Sequence, residues 1–285
     1  MRIVVTGATG HVGRLVVEEL LARGVPAHEV VATGRRIEKI KDLADRGVQT
    51  RSIDYDDPDS LRAAFAGADK VLLISGSEVG KRVTQHKNAI GAAAEAGVGL
   101  LVYTSIAGAD RTSIRLADDH RATEQALSEA GLPVTLLRNS WYLENYTAQI
   151  PVYLEHGAIV GCAGDGQVSA ATRADYAAAA AAVLSTDGHA GRTYELGGDT
   201  AFSMAELAAV VSELSGRQVE YRDLAEQDYA AVLTSAGLPA PYAAALAQSD
   251  RGLARGDLLV ETGDLSRLAG RTTTSMREAV AAALR

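Results

Sequence analysis

Short apolar runs alternate with longer stretches of helical spacing over the first 140 positions. Arg2–Thr6, Glu29–Thr33, Val48–Ile53, Lys70–Ile74, Leu100–Thr104 and Val134–Arg138 read as strands, each dominated by apolar and β-branched residues. Between them Val12–Arg23, Ile37–Arg46, Ser60–Ala66, Lys81–Ala96 and Ala117–Ala130 carry apolar residues at the spacing of one helix face. Gly24, Gly47, Gly67, Gly97 and Gly131 follow these helices where a left-handed cap is favoured. Strands that are apolar nearly throughout suit a parallel sheet covered on both faces. The repeated βαβ rhythm predicts an α/β fold with a doubly wound parallel sheet.

After Pro151 the rhythm loosens. Ala158–Gly161, Arg192–Leu196 and Gln218–Arg222 read as strands, and Ala174–Leu184, Met204–Leu214, Ala225–Ala236 and Thr274–Leu284 as helices. The stretch Leu238-Pro-Ala-Pro-Tyr242 reads as a breaker. These elements predict a smaller C-terminal α/β lobe completing a cleft over the carboxyl edge of the sheet. The expected division is a dinucleotide-binding domain over 1–150, with returning segments from 166–195, and a substrate lobe over 196–285.

Composition narrows the function. With 47% hydrophobic residues the 285-residue chain can bury a real core. A net charge of −8 argues against nucleic acid as a partner. One cysteine, Cys162, excludes an internal disulfide framework, and six scattered histidines show no pair at metal-ligand spacing, so no metal is expected. The longest apolar run, Tyr176–Leu184, is about half of what a bilayer span needs. The chain opens on a strand-like run with no signal-peptide pattern, and a cytoplasmic location is expected. Oligomeric state is not legible.

The first strand runs into Thr6-Gly-Ala-Thr-Gly-His-Val-Gly13 and then a helix. Gly7, Gly10 and Gly13 supply a tight turn, close backbone approach and a helix start aimed at an anion. At the head of a βαβ unit this marks a Rossmann-type dinucleotide site over Gly7, Ala8, Thr9, Gly10, His11, Val12 and Gly13. At the end of the second strand, Thr33-Gly-Arg-Arg36, no acid occurs from Val30 through Ile37. A site for the unphosphorylated dinucleotide would usually place Asp or Glu there for the ribose hydroxyl. Arg35 instead suits a 2′-phosphate, which points to NADPH. Asp54, past the third strand, reads either as a partner for the adenine amino group or as an ordinary acidic turn residue.

The usual Tyr-x-x-x-Lys pair of short-chain dehydrogenases is missing. None of the ten tyrosines has lysine four residues later, and no lysine follows Lys87. Where the pair should fall stands His120-Arg-Ala-Thr-Glu124, which reads either as a polar exposed helix face or as a site in which His120 is a weak catalytic candidate. The loop after the sixth strand offers Asn139, Trp141, Tyr142 and Asn145 on the ligand-binding edge. Its tryptophan reads either as core or as pocket wall, and Arg173 as either a phosphate contact or a helix cap.

At this point the chain resembles a known group. The glycine turn, Ile74-Ser-Gly-Ser-Glu-Val-Gly80, Leu101-Val-Tyr-Thr-Ser105, the run Leu136–Asn145, Ala170-Ala-Thr-Arg-Ala-Asp175 and Arg271-Thr-Thr-Thr-Ser275 are similar to bacterial NAD(P)H:quinone oxidoreductases of type 2, among the NmrA-like atypical short-chain dehydrogenases. The resemblance covers essentially the whole chain. It implies NADPH at Gly7–Val12 with Arg35 on the 2′-phosphate. It also implies cofactor contacts from Ser75, Gly76 and Ser77, and from Asn139, Ser140, Trp141, Tyr142, Leu143 and Glu144. Gly76 and Ser140 depart from the relatives' residues. The expected activity is hydride transfer from NADPH to a quinone or similarly flat electrophile, without flavin or metal, with Trp141, Tyr142 and Asn145 lining the acceptor pocket. The alternatives are an NADP(H)-binding redox sensor without turnover and a triphenylmethane-dye-type reductase.

Overall fold

The structure, a computed structural model, describes residues 1–76, 78 and 80–285. In the first half β1 (Ile3–Val5), β2 (Val30–Gly34), β3 (Gln49–Ser52), β4 (Lys70–Leu73), β5 (Leu100–Ile106) and β6 (Val134–Asn139) are interleaved with α1 (His11–Ala22), α2 (Lys41–Asp45), α3 (Pro58–Phe65), α4 (Arg82–Glu95) and α5 (Leu116–Glu129). There follow α6 (Glu144–Thr147), α7 (Ile150–His156), β7 (Ala158–Gly161), β8 (Gln167–Val168), α8 (Arg173–Ser185), β9 (Thr193–Leu196), β10 (Phe202–Ser203), α9 (Met204–Ser215), β11 (Glu220–Asp223), α10 (Glu226–Ser235), α11 (Ala240–Ala254), α12 (Asp264–Ala269) and α13 (Met276–Ala283).

Seven strands form the central sheet in the order β3-β2-β1-β4-β5-β6-β9, every pair parallel. This is the doubly wound, Rossmann-type order with one strand added. Strand order reverses between β1 and β4, and a crevice opens at such a switch point beyond the carboxyl ends. One face of the sheet is covered by a core of Val16, Leu20, Tyr176, Val183 and Leu265, the other by Leu61, Phe65, Ile90, Ala93 and Leu127. Burial on both faces explains why β1, β4 and β5 are apolar without alternation.

The alanine run of α8 has a packing reason. Its small side chains pack with Val16, Val17 and Leu20 of α1 in one core. Thr172 and Asp175 close its start with a capping box, and Arg271 pairs with the fully buried Asp175. A third core joins Ile114, Leu143, Tyr146, Ile159, Phe202, Leu207, Val211, Leu253, Leu258 and Val280. It supports two small sheets, β7 parallel to β11 and β8 antiparallel to β10.

Where sequence and structure differ, the elements are short or begin with proline. Pro151 and Pro241 sit in the first turns of α7 and α11, where the missing N–H has no helical partner to lose. The Leu238–Tyr242 stretch therefore separates α10 from α11 but also starts the second of them. Among the described residues no helix is long and apolar enough to cross a membrane.

Candidate active site

The turn after β1 is shaped by glycine at two positions in particular. Gly7 has φ +62°, in the left-handed region, and a Cβ on Gly13 would collide with the Gly7 carbonyl oxygen. The second restriction lets the start of α1 lie directly against the turn. Gly10 caps that helix without a side-chain hydrogen bond, and its first turn holds no acid. The helix start is left open to an anion. Ala8 is fully buried, and its N–H donates to the Thr33 carbonyl at 2.8 Å, locking the turn onto β2.

A cleft of about 250 Å³ opens at the switch point. Gly7, Thr9 and Gly10 form one wall; Gly34 and Arg35 close it at β2, Asp54 and Tyr55 at β3, and Ile74, Ser75 and Gly76 at β4. A Cβ on Gly34 would come within 2.6 Å of the Thr9 hydroxyl oxygen, so a side chain there would crowd the cleft. Arg35 is 64% exposed at the mouth and donates to Glu78 at 2.6 Å. Asp54 lines the same cleft, and its carboxylate accepts the Asp56 N–H, as an acidic turn residue does. Ser77 lies outside the described residues.

The segment after β4 is held by side chains rather than by a neighbouring strand. Ile74 N–H donates to Thr6 Oγ1 and Ser75 N–H to Thr104 Oγ1, both at 2.9 Å. Gly76 N–H donates to His86 Nε2 at 2.9 Å, and Arg82 Nε donates to the Gly76 carbonyl at 2.6 Å. None of Thr6, Thr104, Arg82 or His86 stands out by spacing, because each meets the loop only after folding.

The loop after β6 is built as a wall. Asn139 is 5% exposed, with its Oδ1 buried and without a hydrogen-bond partner among the described residues, and Leu143 is buried in the third core. Ser140 Oγ donates to the Leu258 carbonyl, fastening the loop to the C-terminal half. Trp141 and Tyr142 are half-buried and Asn145 is exposed. Trp141 packs against the third core, and the Tyr142 ring meets Tyr176 edge-on at 5.4 Å. Arg173 is turned onto this loop: it stacks 4.8 Å above the Tyr142 ring and donates to Asn145 Oδ1. Its backbone N–H is accepted by Glu144 at the start of α8.

His120 is not on an exposed helix face. It is 8% exposed, with Nδ1 hydrogen-bonded to the Tyr103 hydroxyl at 2.8 Å. Burial, reinforced by the charge of Arg82 and by His86, pushes its pKa down to about 3, which keeps the ring neutral. Glu124 on the same helix is partly buried. It accepts from Ser105 and takes a two-pronged bond from Arg138, at 3.1 and 2.7 Å. Arg138 reaches Asp110 at 2.9 Å and Glu195 at 3.1 Å as well, while Glu195 accepts the Gly108 N–H. Burial alone would lower the arginine's pKa; these carboxylates outweigh it and raise it. The network pins the β5–α5 connection beside the end of β6. Its one sequence signal is an arginine closing an apolar strand, Leu136-Leu-Arg138.

Residues 7–187 match the NAD(P)H-binding family. The chain is 49% identical over 278 residues to Quinone oxidoreductase 2 of Escherichia coli (strain K12), covering 98% of this chain and 97% of that protein. The chain belongs to the NAD(P)H-binding quinone oxidoreductase family. The crystal structure of the Escherichia coli NADPH-dependent quinone oxidoreductase complexed with NADPH superimposes with a TM-score of 0.96 at 48% identity, over 98% of this chain and 99% of that one. Triphenylmethane reductase of Citrobacter sp. complexed with NADP(H) gives a TM-score of 0.93 at 39% identity, over 99% of each chain. The cradle fits the family's ligand. An uncapped helix start, a wall where a Cβ has no room and an arginine at the mouth are what a pyrophosphate and a further phosphate require. Among the described residues no group of three or more His, Cys, Asp or Glu side chains could hold a metal ion.

Proposed function

We propose that this chain is an NADPH-dependent reductase that delivers a hydride to a quinone or a similarly flat electrophile. The observation that carries the reading is the cleft at the switch point, built on an uncapped glycine turn and closed by Arg35 with no acid at the end of β2. The backbone N–H groups at the start of α1, His11–Gly13, would hold the pyrophosphate, brought close by the Gly7–Gly10 turn, and Arg35 the 2′-phosphate. Ser75 and Gly76 would line the cofactor from β4, Asn139–Glu144 from β6, and Arg173 would fix that second wall. Bound there, NADPH supplies a hydride.

What the protein's own residues do is position and enclose. Trp141, Tyr142 and Asn145 offer flat and amide surfaces against which a planar acceptor can lie, an effect of proximity and orientation. A strong acid is not needed: reduction of a quinone leaves a phenol-like oxyanion, whose pKa near about 10 lets water complete the protonation. This accounts for a neutral, buried His120 standing where related enzymes keep a tyrosine–lysine pair. We assign cofactor binding to 1–150 with the returning segments of 166–195, and acceptor selection to 196–285. The one cysteine is buried, which suits a reducing compartment, and we place the enzyme in the cytoplasm.

The test is NADPH oxidation followed by absorbance with simple quinones as acceptors. Turnover that is faster with NADPH than with NADH supports the reading; tight NADPH binding without turnover on any acceptor would replace it with a sensor. The likeness to triphenylmethane reductase makes a cationic triarylmethane dye the second acceptor to try.

A further inference from the structure

His86 is fully buried, titratable, and used by no step above. It lies between Tyr55 and Tyr103, both meeting its ring edge-on, at 6.2 and 5.4 Å. Its two nitrogens have opposite partners. Gly76 N–H points at Nε2, so Nε2 must carry the lone pair. Nδ1 therefore carries the proton and donates to Thr123 Oγ1 at 2.9 Å, while the Thr123 hydroxyl donates onward to the Asp119 carbonyl at 2.8 Å. The chain of bonds runs one way, from the Gly76 backbone through the imidazole to α5. Burial and the neighbouring Arg82 push the His86 pKa down to about 3, which preserves the neutral ring this chain demands.

The far end of the chain is the cofactor cleft. Residues 74–76 line it, and beyond β4 their backbone has no strand ladder to define its path. Gly76 itself does not need to be glycine: its φ is not positive, and an added Cβ would make only ordinary contacts, the nearest at 3.5 Å to Gln85. Thr6 and Thr104 hold Ile74 and Ser75, and at Gly76 the path is set by what grips it, namely His86 at the N–H and Arg82 at the carbonyl.

We infer that His86 is a positioning residue for cofactor binding, fixing the Ile74–Gly76 wall of the cleft through the Gly76 N–H, with Arg82 completing the grip. This rests on the assignment of the cleft to NADPH. Without the imidazole acceptor the wall samples other paths, and apparent affinity falls in proportion to the fraction that remains competent. The acceptor side, built by the β6 loop, is not gripped by His86 and should not respond.

Direct NADPH titration by protein fluorescence, with quinone KM and kcat in parallel, tests this. In His86→Leu the NADPH Kd should rise about tenfold, a competent fraction near one-tenth, while quinone KM stays within about twofold. His86→Gln, whose Oε1 can accept the same N–H, should recover to within about threefold of the parent. A general loss of structure would shift quinone KM as well and would not be rescued by glutamine. Should His86→Leu fail to fold, Thr123→Val leaves the ring in place but removes the acceptor that orients it, and Kd should rise about threefold. Parent-like NADPH affinity in the leucine variant, or glutamine no better than leucine, overturns the inference. If Arg35→Ala weakens NADPH while the His86 variants do not, only the grip is wrong; if Arg35→Ala also has no effect, the cofactor lies elsewhere and the cleft assignment fails.

Discussion

The turn at Gly7–Gly13 and the loop at Asn139–Asn145 prepare a ligand site in opposite ways. The turn withholds side chains: its glycines bring backbone close, and the start of α1 is left without a cap. The loop, Asn139 Oδ1 excepted, spends most of its polar groups inside the protein. The Trp141 carbonyl accepts from Ala171 N–H and the Tyr176 hydroxyl, Leu143 N–H donates to the Ala171 carbonyl, and Glu144 and Asn145 are taken by Arg173. The first is an anion cradle made of free donors; the second is a stiff wall that offers faces. Charge is bound where the protein leaves groups unsatisfied, and a flat apolar molecule where it leaves shape.

Substitutions should separate the two. The broadest effect, on stability and binding together, is expected at Gly13→Ala, because the new Cβ meets backbone that cannot yield without moving α1. Overpacking of this kind costs about 1–3 kcal/mol, visible as a lower urea midpoint, and NADPH binding should fall with it. A parent-like midpoint and affinity would show that the turn has slack, and the contrast with the loop would weaken.

Next comes Arg35→Ala. Loss of a charge-assisted bond to a phosphate should cost about 1.5–3 kcal/mol, roughly ten- to hundredfold in NADPH affinity, with NADH little changed. The exposed pair with Glu78 adds little, since such pairs are worth about 0–1 kcal/mol. Equal weakening of both dinucleotides would make the arginine structural.

The wall should respond in the other coordinate. Trp141→Ala removes a half-buried aromatic face, and quinone KM should rise about tenfold, the magnitude of one aromatic contact, and by more than NADPH Kd changes. A change confined to NADPH would hand the loop to the cofactor alone.

The smallest effect on turnover is expected at His120. His120→Ala should lower kcat by well under the hundredfold typical of a lost general acid. Because the ring stays neutral down to about pH 3, kcat of the parent should show no break near pH 6.5. Its stability should show one: the unfolded chain protonates this histidine near about 6.5, the folded chain only near 3, so stability falls as pH drops through that window. Asp250 works against this, since burial raises its pKa to about 6 and favours the folded state below that value. Melting temperature against pH should therefore be flatter for His120→Ala than for the parent. A thousandfold drop in kcat with intact NADPH affinity would instead make His120 the proton donor.

The sheet, the glycine turn, the arginine after β2 and the absence of a tyrosine–lysine pair were all legible along the chain, because each is a matter of spacing within about ten residues or of plain residue counts. The proline at the start of α11 misled for a local reason too, since a first turn tolerates what a helix interior does not. The remaining features join residues far apart in sequence. His120 and Glu124 share a helix face whether that face meets water or protein; packing against Tyr103 and Arg138 decided that it meets protein. Glu195 reaches Arg138 across 57 positions and Gly108 across 87, and Ser140 finds Leu258 across 118. Spacing sets which backbone groups a turn exposes. Only the fold sets which distant side chains arrive to satisfy the rest, because a buried polar group must find a partner and the chain does not say in advance where that partner will be.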